Sequence, residues 1–171
     1  RRQRQMCIRD RIADVDVRRQ LPNVIYVNII EQKPAAIWQH HGKFKLIAKN
    51  GQIISKKISL RHKNLKVLVG EDAPIHAAEL ITMLESEYAL MQQVSHATRA
   101  GSRRWNLLLK QGIDIRLPAE HAQIAWRYLA TLQRKHKILQ KKIRAVDLRI
   151  PNRLTLQVLK TKRPAQEGGA T

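Results

Sequence analysis

Histidines and carboxylates are the residues with which this chain of 171 amino acids could bind metal or move protons; it has seven of the first and 13 of the second. His40 and His41 are adjacent, and neighbouring side chains in a strand point to opposite faces. His62, His76, His96, His121 and His136 show neither an H-E-x-x-H spacing nor any other spacing of metal ligands. Asp14, Asp16, Asp114 and Asp147 sit in alternating segments, where a carboxylate faces water. No G-x-S-x-G elbow, P-loop or dinucleotide glycine fingerprint occurs. The single cysteine, Cys7, excludes a disulfide framework and a cysteine zinc site. Only an acid pair assembled by folding is left open as a catalytic route. The expectation is a protein with no catalytic residues, no metal and no cofactor.

Charge is the most visible property. Lys and Arg number 33 against 13 Asp and Glu, giving +20 and a pI near 11.0. A nucleic-acid binder concentrates such charge on one face and adds aromatics for stacking. Here the cations are scattered and aromatics are 4%. The densest patch is Arg134-Lys135-His136-Lys137 with Lys141-Lys142, which a solvated helix end beside its negative dipole pole explains equally well. Apolar residues reach 43%, enough for a packed core. No apolar run approaches the roughly 18 residues of a membrane span, and no signal-peptide core opens the chain.

Residues 1–11 have no apolar periodicity and no turn grammar. Their codons can be written as a sequencing adapter, so they are read as a translated artefact and set aside. They hold five of the arginines and one acid, so the remainder carries +16, and Cys7 leaves with them. A reading frame opened in an adapter is expected to be cut at its natural start.

The elements follow from period and punctuation. Residues 13–18 alternate, residues 24–31 are β-branched and aromatic, and Leu21-Pro22-Asn23 turns between them: a hairpin. Short strands follow Pro34, with His41-Gly42 and Asn50-Gly51 as hairpin turns. Residues 55–66 read as a loop and residues 67–70 as an apolar run ended by Gly70. Pro74 opens a helix whose stripe is Ala77, Ile81, Leu84 and Tyr88. Strands at 94–98, 105–110 and 113–117 precede a second helix, opened by Pro118, with the stripe Ala122, Ala125, Leu129, Leu132, His136 and Leu139. Strands at 143–149 and 154–159 close the fold, parted by Pro151-Asn152. Trp38 and Trp105 are expected to anchor the core, with Trp126 capping its edge. Tight turns between most strands predict an α+β fold, an antiparallel multi-stranded sheet covered by two helices.

Several segments carry a resemblance. Val15-Asp16-Val17-Arg18-Arg19-Gln20-Leu21-Pro22-Asn23 is followed by Glu31-Gln32-Lys33-Pro34-Ala35-Ala36-Ile37-Trp38. Lys66-Val67-Leu68-Val69-Gly70, Arg103-Arg104-Trp105-Asn106-Leu107 and Val146-Asp147-Leu148-Arg149 come after in order. The set, spanning residues 12–160, resembles the bacterial cell-division family FtsQ (DivIB). The resemblance implies a single-pass inner-membrane protein concentrated at the division septum, with a periplasmic POTRA domain followed by a β domain. Residues 12–33 would be the last POTRA strands, residues 34–160 the β domain, and residues 161–171 a disordered tail. The membrane helix would lie in the missing N-terminus.

The implied activity is non-catalytic scaffolding of the divisome through protein partners, FtsB and FtsL, with no small-molecule substrate and no nucleic acid. A segment of FtsB would add as a strand to the last strand of the β domain, a β-augmentation. The partner-binding residues would be Leu154, Leu156 and Val158, entered through Arg149, Ile150 and Asn152, with Arg103 and Arg104 pairing partner acids. Ile150 stands where some family members have an aromatic residue, and Pro151 removes a donor before the strand. Two alternatives stay open: a POTRA-containing outer-membrane assembly or transport component, and a basic nucleic-acid-binding domain. Anionic lipid headgroups suit the basic surface better than nucleic acid does.

Overall fold

The computed structural model describes residues 12–54, 58–151 and 153–159. The set-aside residues 1–11 and the tail at 161–171 lie outside the described residues. Two antiparallel strands come first, β1 (Ile12–Gln20) and β2 (Val24–Glu31), joined through Leu21-Pro22-Asn23 as the turn chemistry predicts. Every residue of β2 is exposed, so this hairpin offers apolar side chains on both faces.

A nine-stranded sheet follows: β3 (Pro34–His40), β4 (Lys43–Ala48), β5 (Ile53–Ile54), β6 (Lys66–Val69), β7 (Val94–Ala100), β8 (Arg104–Leu109), β9 (Asp114–Arg116), β10 (Ile143–Asp147) and β11 (Thr155–Val158). Their spatial order is β11-β10-β9-β8-β7-β6-β3-β4-β5. The helices are α1 (Ala77–Glu85), α2 (Tyr88–Met91) and α3 (Ala122–His136).

The sheet is mixed, which corrects the antiparallel expectation. β3 pairs β6, β6 pairs β7 and β9 pairs β10 in parallel. Parallel neighbours need a crossover, and the helices supply two of them. α1 and α2 carry the chain from β6 to β7, and α3 carries it from β9 to β10. Tight turns join β3 to β4, β4 to β5, β7 to β8 and β8 to β9, and their abundance hides the crossovers from a reading by turn signals. Asn50-Gly51 also departs from a two-residue turn: only Gly51 has positive φ, and the Asn50 side chain accepts the Gln52 N–H at 3.1 Å. A Cβ at Gly51 would stand 2.2 Å from the Pro74 carbonyl oxygen, so this position requires glycine twice over.

The helices differ from expectation in detail. Three are present among the described residues, because the chain breaks at Ser86-Glu87 before α2. Pro74 lies in the turn before α1, which starts at Ala77. Tyr88, assigned to the first stripe, is exposed, and Leu80 and Met83 are buried in its place. α3 stops at His136 because Lys137 turns left-handed at φ 48, which leaves Leu139 in a 3-10 turn at Ile138–Gln140. Trp126 is 0% exposed and lies in the core, which overturns its assignment to the edge. The buried seam of α3 is Trp126, Leu129 and Ala130, one position round from the predicted stripe.

One row of side chains crosses the sheet beneath these helices. The strand registers align Trp38, Leu68, Ala97, Leu107, Ile115 and Val146 in successive strands, and all six are buried in the main core. The row ends at Leu156 on β11, which is half-buried against that core. A smaller cluster, Ile37, Leu46, Ala48 and Ile54, packs on the opposite face of β3, β4 and β5, as the period-two alternation of strands demands.

Candidate partner-binding edge

β11 is an edge strand: among the described residues its only strand neighbour is β10. The direction of its amides can be read from the ladder. Leu148 donates to the Arg116 oxygen on β9, so Val146, two residues earlier, also turns its peptide groups toward β9. Ala145 and Asp147 therefore face β11, where they meet Gln157 and Thr155. Leu159 donates to the Lys142 oxygen in the same phase. Leu156 and Val158, in the opposite phase, point their N–H and C=O groups outward. Among the described residues the edge is thus an open hydrogen-bonding ribbon.

Beside the ribbon runs a groove of about 580 Å³ between α3 and the segment that enters β11. Ile124, Ala125 and Tyr128 form its helix wall, and Leu148, Ile150 and Pro151 its other wall. Ile124 is 67% exposed and Tyr128 43%, so this side of α3 has an apolar strip that the core does not cover. Sequence reasoning missed these two residues. Their i, i+4 spacing on the supposed polar face of α3 was the available signal.

The residues expected at the site divide into two groups. Arg149 and Ile150 line the groove, and Leu154 and Leu156 pack on the core at the edge. Val158 is exposed near the far end of β11, and Asn152 lies outside the described residues. Arg103 and Arg104 are not on this edge. They line a second cleft of about 590 Å³ with Arg99, Trp105, His76 and Glu79. The two clefts meet at Pro118, Ala119 and His121, just before α3.

Arg149 already has an acid. Its Nε donates to both oxygens of Asp147 at 2.9 Å and its Nη2 donates to Oδ2 at 2.6 Å. These bonds hold the Asp147 carboxyl below its ordinary 3.8 against the opposing push of burial; the Arg149 backbone N–H and the charges of Arg149 and Arg116 add to the effect. Asp72 is held low in the same way, first by the Arg99 side chain, which donates to it at 3.1 and 2.9 Å. Arg99 is itself covered by these contacts and lies over the Trp105 ring at 5.1 Å.

A carboxyl whose folded pKa lies below its unfolded value adds stability that is complete above the unfolded value and is lost as pH falls through the folded one. The urea midpoint should therefore hold steady from neutrality to about pH 5 and fall below about pH 4. The double variant Asp72→Asn, Asp147→Asn should start from a lower midpoint and show a shallower acid decline, read by urea titration across pH.

His40 and His41 correct another expectation. Their ring centroids are 3.9 Å apart, because His41 has φ 47 and begins the turn to β4 instead of continuing the strand. His40 also stacks on Trp38.

The Cell division protein FtsQ/DivIB C-terminal family model matches residues 36–149, two-thirds of the chain. The chain belongs to the FtsQ/DivIB family. It is 38% identical over 146 residues to the cell division protein FtsQ of Rickettsia bellii, covering 85% of this chain and 54% of that protein. It is 35% identical over 160 residues to FtsQ of Bradyrhizobium diazoefficiens, covering 91% and 46%. The chain thus spans about half the length of these FtsQ relatives. Among solved structures, the major extracytoplasmic domain of DivIB from Geobacillus stearothermophilus is similar at TM-score 0.46 and 14% identity, over 64% of this chain and 97% of that one. The members of this family that it matches are cell division proteins. Among its described residues, no helix is long and apolar enough to cross a membrane.

Proposed function

We propose that this chain is a non-catalytic scaffold of the divisome that captures the FtsB–FtsL pair by strand addition at β11 during septum assembly. The observation that carries the reading is the row from Trp38 to Val146, which ends half-covered at Leu156 on a strand whose next amides point outward. A strand laid along β11 would satisfy those amides and continue the apolar row with a side chain of its own. The groove walled by Ile124, Tyr128 and Ile150 would take the next part of the same partner, and membership of a cell-division family fits both.

The geometry supports different roles for the arginines. Arg149 is committed to Asp147, so it acts mainly by fixing the segment that enters β11. Arg103, exposed in the second cleft and in no salt bridge among the described residues, would meet a partner carboxylate. The exposed apolar faces of β1 and β2 support the reading of residues 12–33 as the end of a POTRA domain, since a two-stranded ribbon is marginal in water without cover. An anchor preceding that domain would tether the whole in the inner membrane, with this region in the periplasm.

The test is retention of a purified FtsB–FtsL complex from the same genome on the immobilised 171-residue chain. Retention that a synthetic peptide matching the docking strand of FtsB competes away is expected. Failure to retain the complex, or retention unchanged when Ile124, Tyr128 and Leu156 are all replaced in a chain that still folds, would sink the reading.

A further inference from the structure

The end of the large sheet at which β3, β6 and β10 begin and β8 and β11 finish carries cations that partner capture leaves unused. Three contacts assemble it. The Gln111 side chain donates to the Leu139 oxygen at 3.2 Å, which holds the turn after β8 against the segment following α3. Leu159 donates to Lys142, bringing the finish of β11 to the same place. Lys66, at the start of β6, is close enough to Lys110 in that turn for the second ammonium to add to the lowering of its pKa by burial. Lys110, Lys135, Lys137, Lys141 and Lys142 are exposed here, and among the described residues none of them forms a salt bridge. Arg134 is the exception at this end, held by Glu87 at 2.6 Å.

Favourable placement at a helix terminus accounts for only part of this group. Lys135 lies in the last turn of α3 and complements its negative pole, but that effect fades within one turn. Lys141 and Lys142 lie beyond an intervening 3-10 turn, and Lys110 is on a different element. Their clustering raises mutual repulsion, so an outside anion is the natural source of compensation.

We propose that this lysine-rich end of the sheet rests on an anionic lipid surface. The chemistry selects lipid over the other polyanions. Lysines are compact charges without a fixed fork, suited to a diffuse layer of headgroups and less to shaped recognition of a carboxylate or phosphate. No Phe, Tyr or Trp stands among Lys135–Lys142 to stack a base or anchor a protein interface, and His136 is the one ring in the stretch.

The probe is sedimentation of the 171-residue chain with phosphatidylcholine vesicles, with or without about one-third phosphatidylglycerol. Binding should require the anionic lipid and weaken steeply with salt. Each lysine near a charged surface is worth roughly fivefold in partition, so the triple variant Lys135→Glu, Lys141→Glu, Lys142→Glu should lose at least about 100-fold. A control with the same change of net charge, Lys43→Glu, Lys45→Glu, Arg127→Glu, should lose less than about tenfold. Circular dichroism and thermal melting check that both variants fold, and Lys→Gln at the three patch positions supplies a milder version expected to lose about 100-fold as well. Equal losses in patch and control variants, or binding indifferent to phosphatidylglycerol, would overturn the proposal. So would tighter retention of single-stranded DNA than of charged vesicles at equal phosphate concentration.

Discussion

Leu156→Pro should leave the large sheet folded and weaken capture of the FtsB–FtsL pair by about 100-fold, equivalent to about 2.8 kcal/mol. The argument lies in the direction of one amide. Proline removes its own N–H and puts a ring where a neighbouring strand would sit. At Leu156 that N–H faces outward, so no bond to β10 is lost and the damage falls on the incoming strand. Gln157→Pro makes the contrast, because Gln157 faces Ala145 and its proline would break the β10–β11 ladder. Leu156→Ala separates the side chain from the amide. It trims the end of the apolar row, keeps the donor, and should cost capture no more than about tenfold. Titration calorimetry measures the affinities, with circular dichroism and thermal melting as the check on folding. Capture by a folded Leu156→Pro chain at unchanged affinity would rule out strand addition at β11.

Trp126→Ala should produce the largest loss of stability, about 3–5 kcal/mol, measured from urea unfolding curves. The side chain is fully buried on α3 in the core that the helices share with the sheet. Against a total of roughly 5–15 kcal/mol for an ordinary domain, that loss brings the chain close to unfolding at room temperature. Trp126→Phe supplies the informative partner. The indole Nε1 is buried with no hydrogen-bond partner among the described residues, so phenylalanine removes a polar atom that gains nothing from burial. It should cost under about 2 kcal/mol despite the smaller ring. Equal losses for Ala and Phe would mean that the indole nitrogen, and not the buried area, carries the contribution of Trp126.

These two sites mark how far the sequence can be read. The alternation that gives Ile37 to one core and Trp38 to the other is local, and it is legible in the chain. The hairpin turns at His41-Gly42 and Gly51 are legible for the same reason, since positive φ limits the choice of residue. Parallel pairing is another matter. Nothing in Val67-Leu68-Val69 states that it will lie between β3 and β7, because that is decided by where α1 and α2 return the chain. Trp126 was misplaced for a related reason. The small Ala122 and Ala125 suggested a stripe, but the large ring one position away buries far more area and turns the helix toward itself. The edge position of β11 could be anticipated only through the family resemblance of Val146-Asp147-Leu148-Arg149. The groove beside it, made by Ile124 and Tyr128 facing away from the core, could not.

The brevity of β11 has a consequence for solubility. β11 has four residues, so this margin of the sheet cannot template a long cross-β stack with another molecule. Two copies meeting margin to margin would gain only a few main-chain bonds, too little to offset the entropy of association. An incoming segment that also fills a neighbouring groove gains more. A short margin thus discourages self-association and still admits a guest that brings its own apolar side chains.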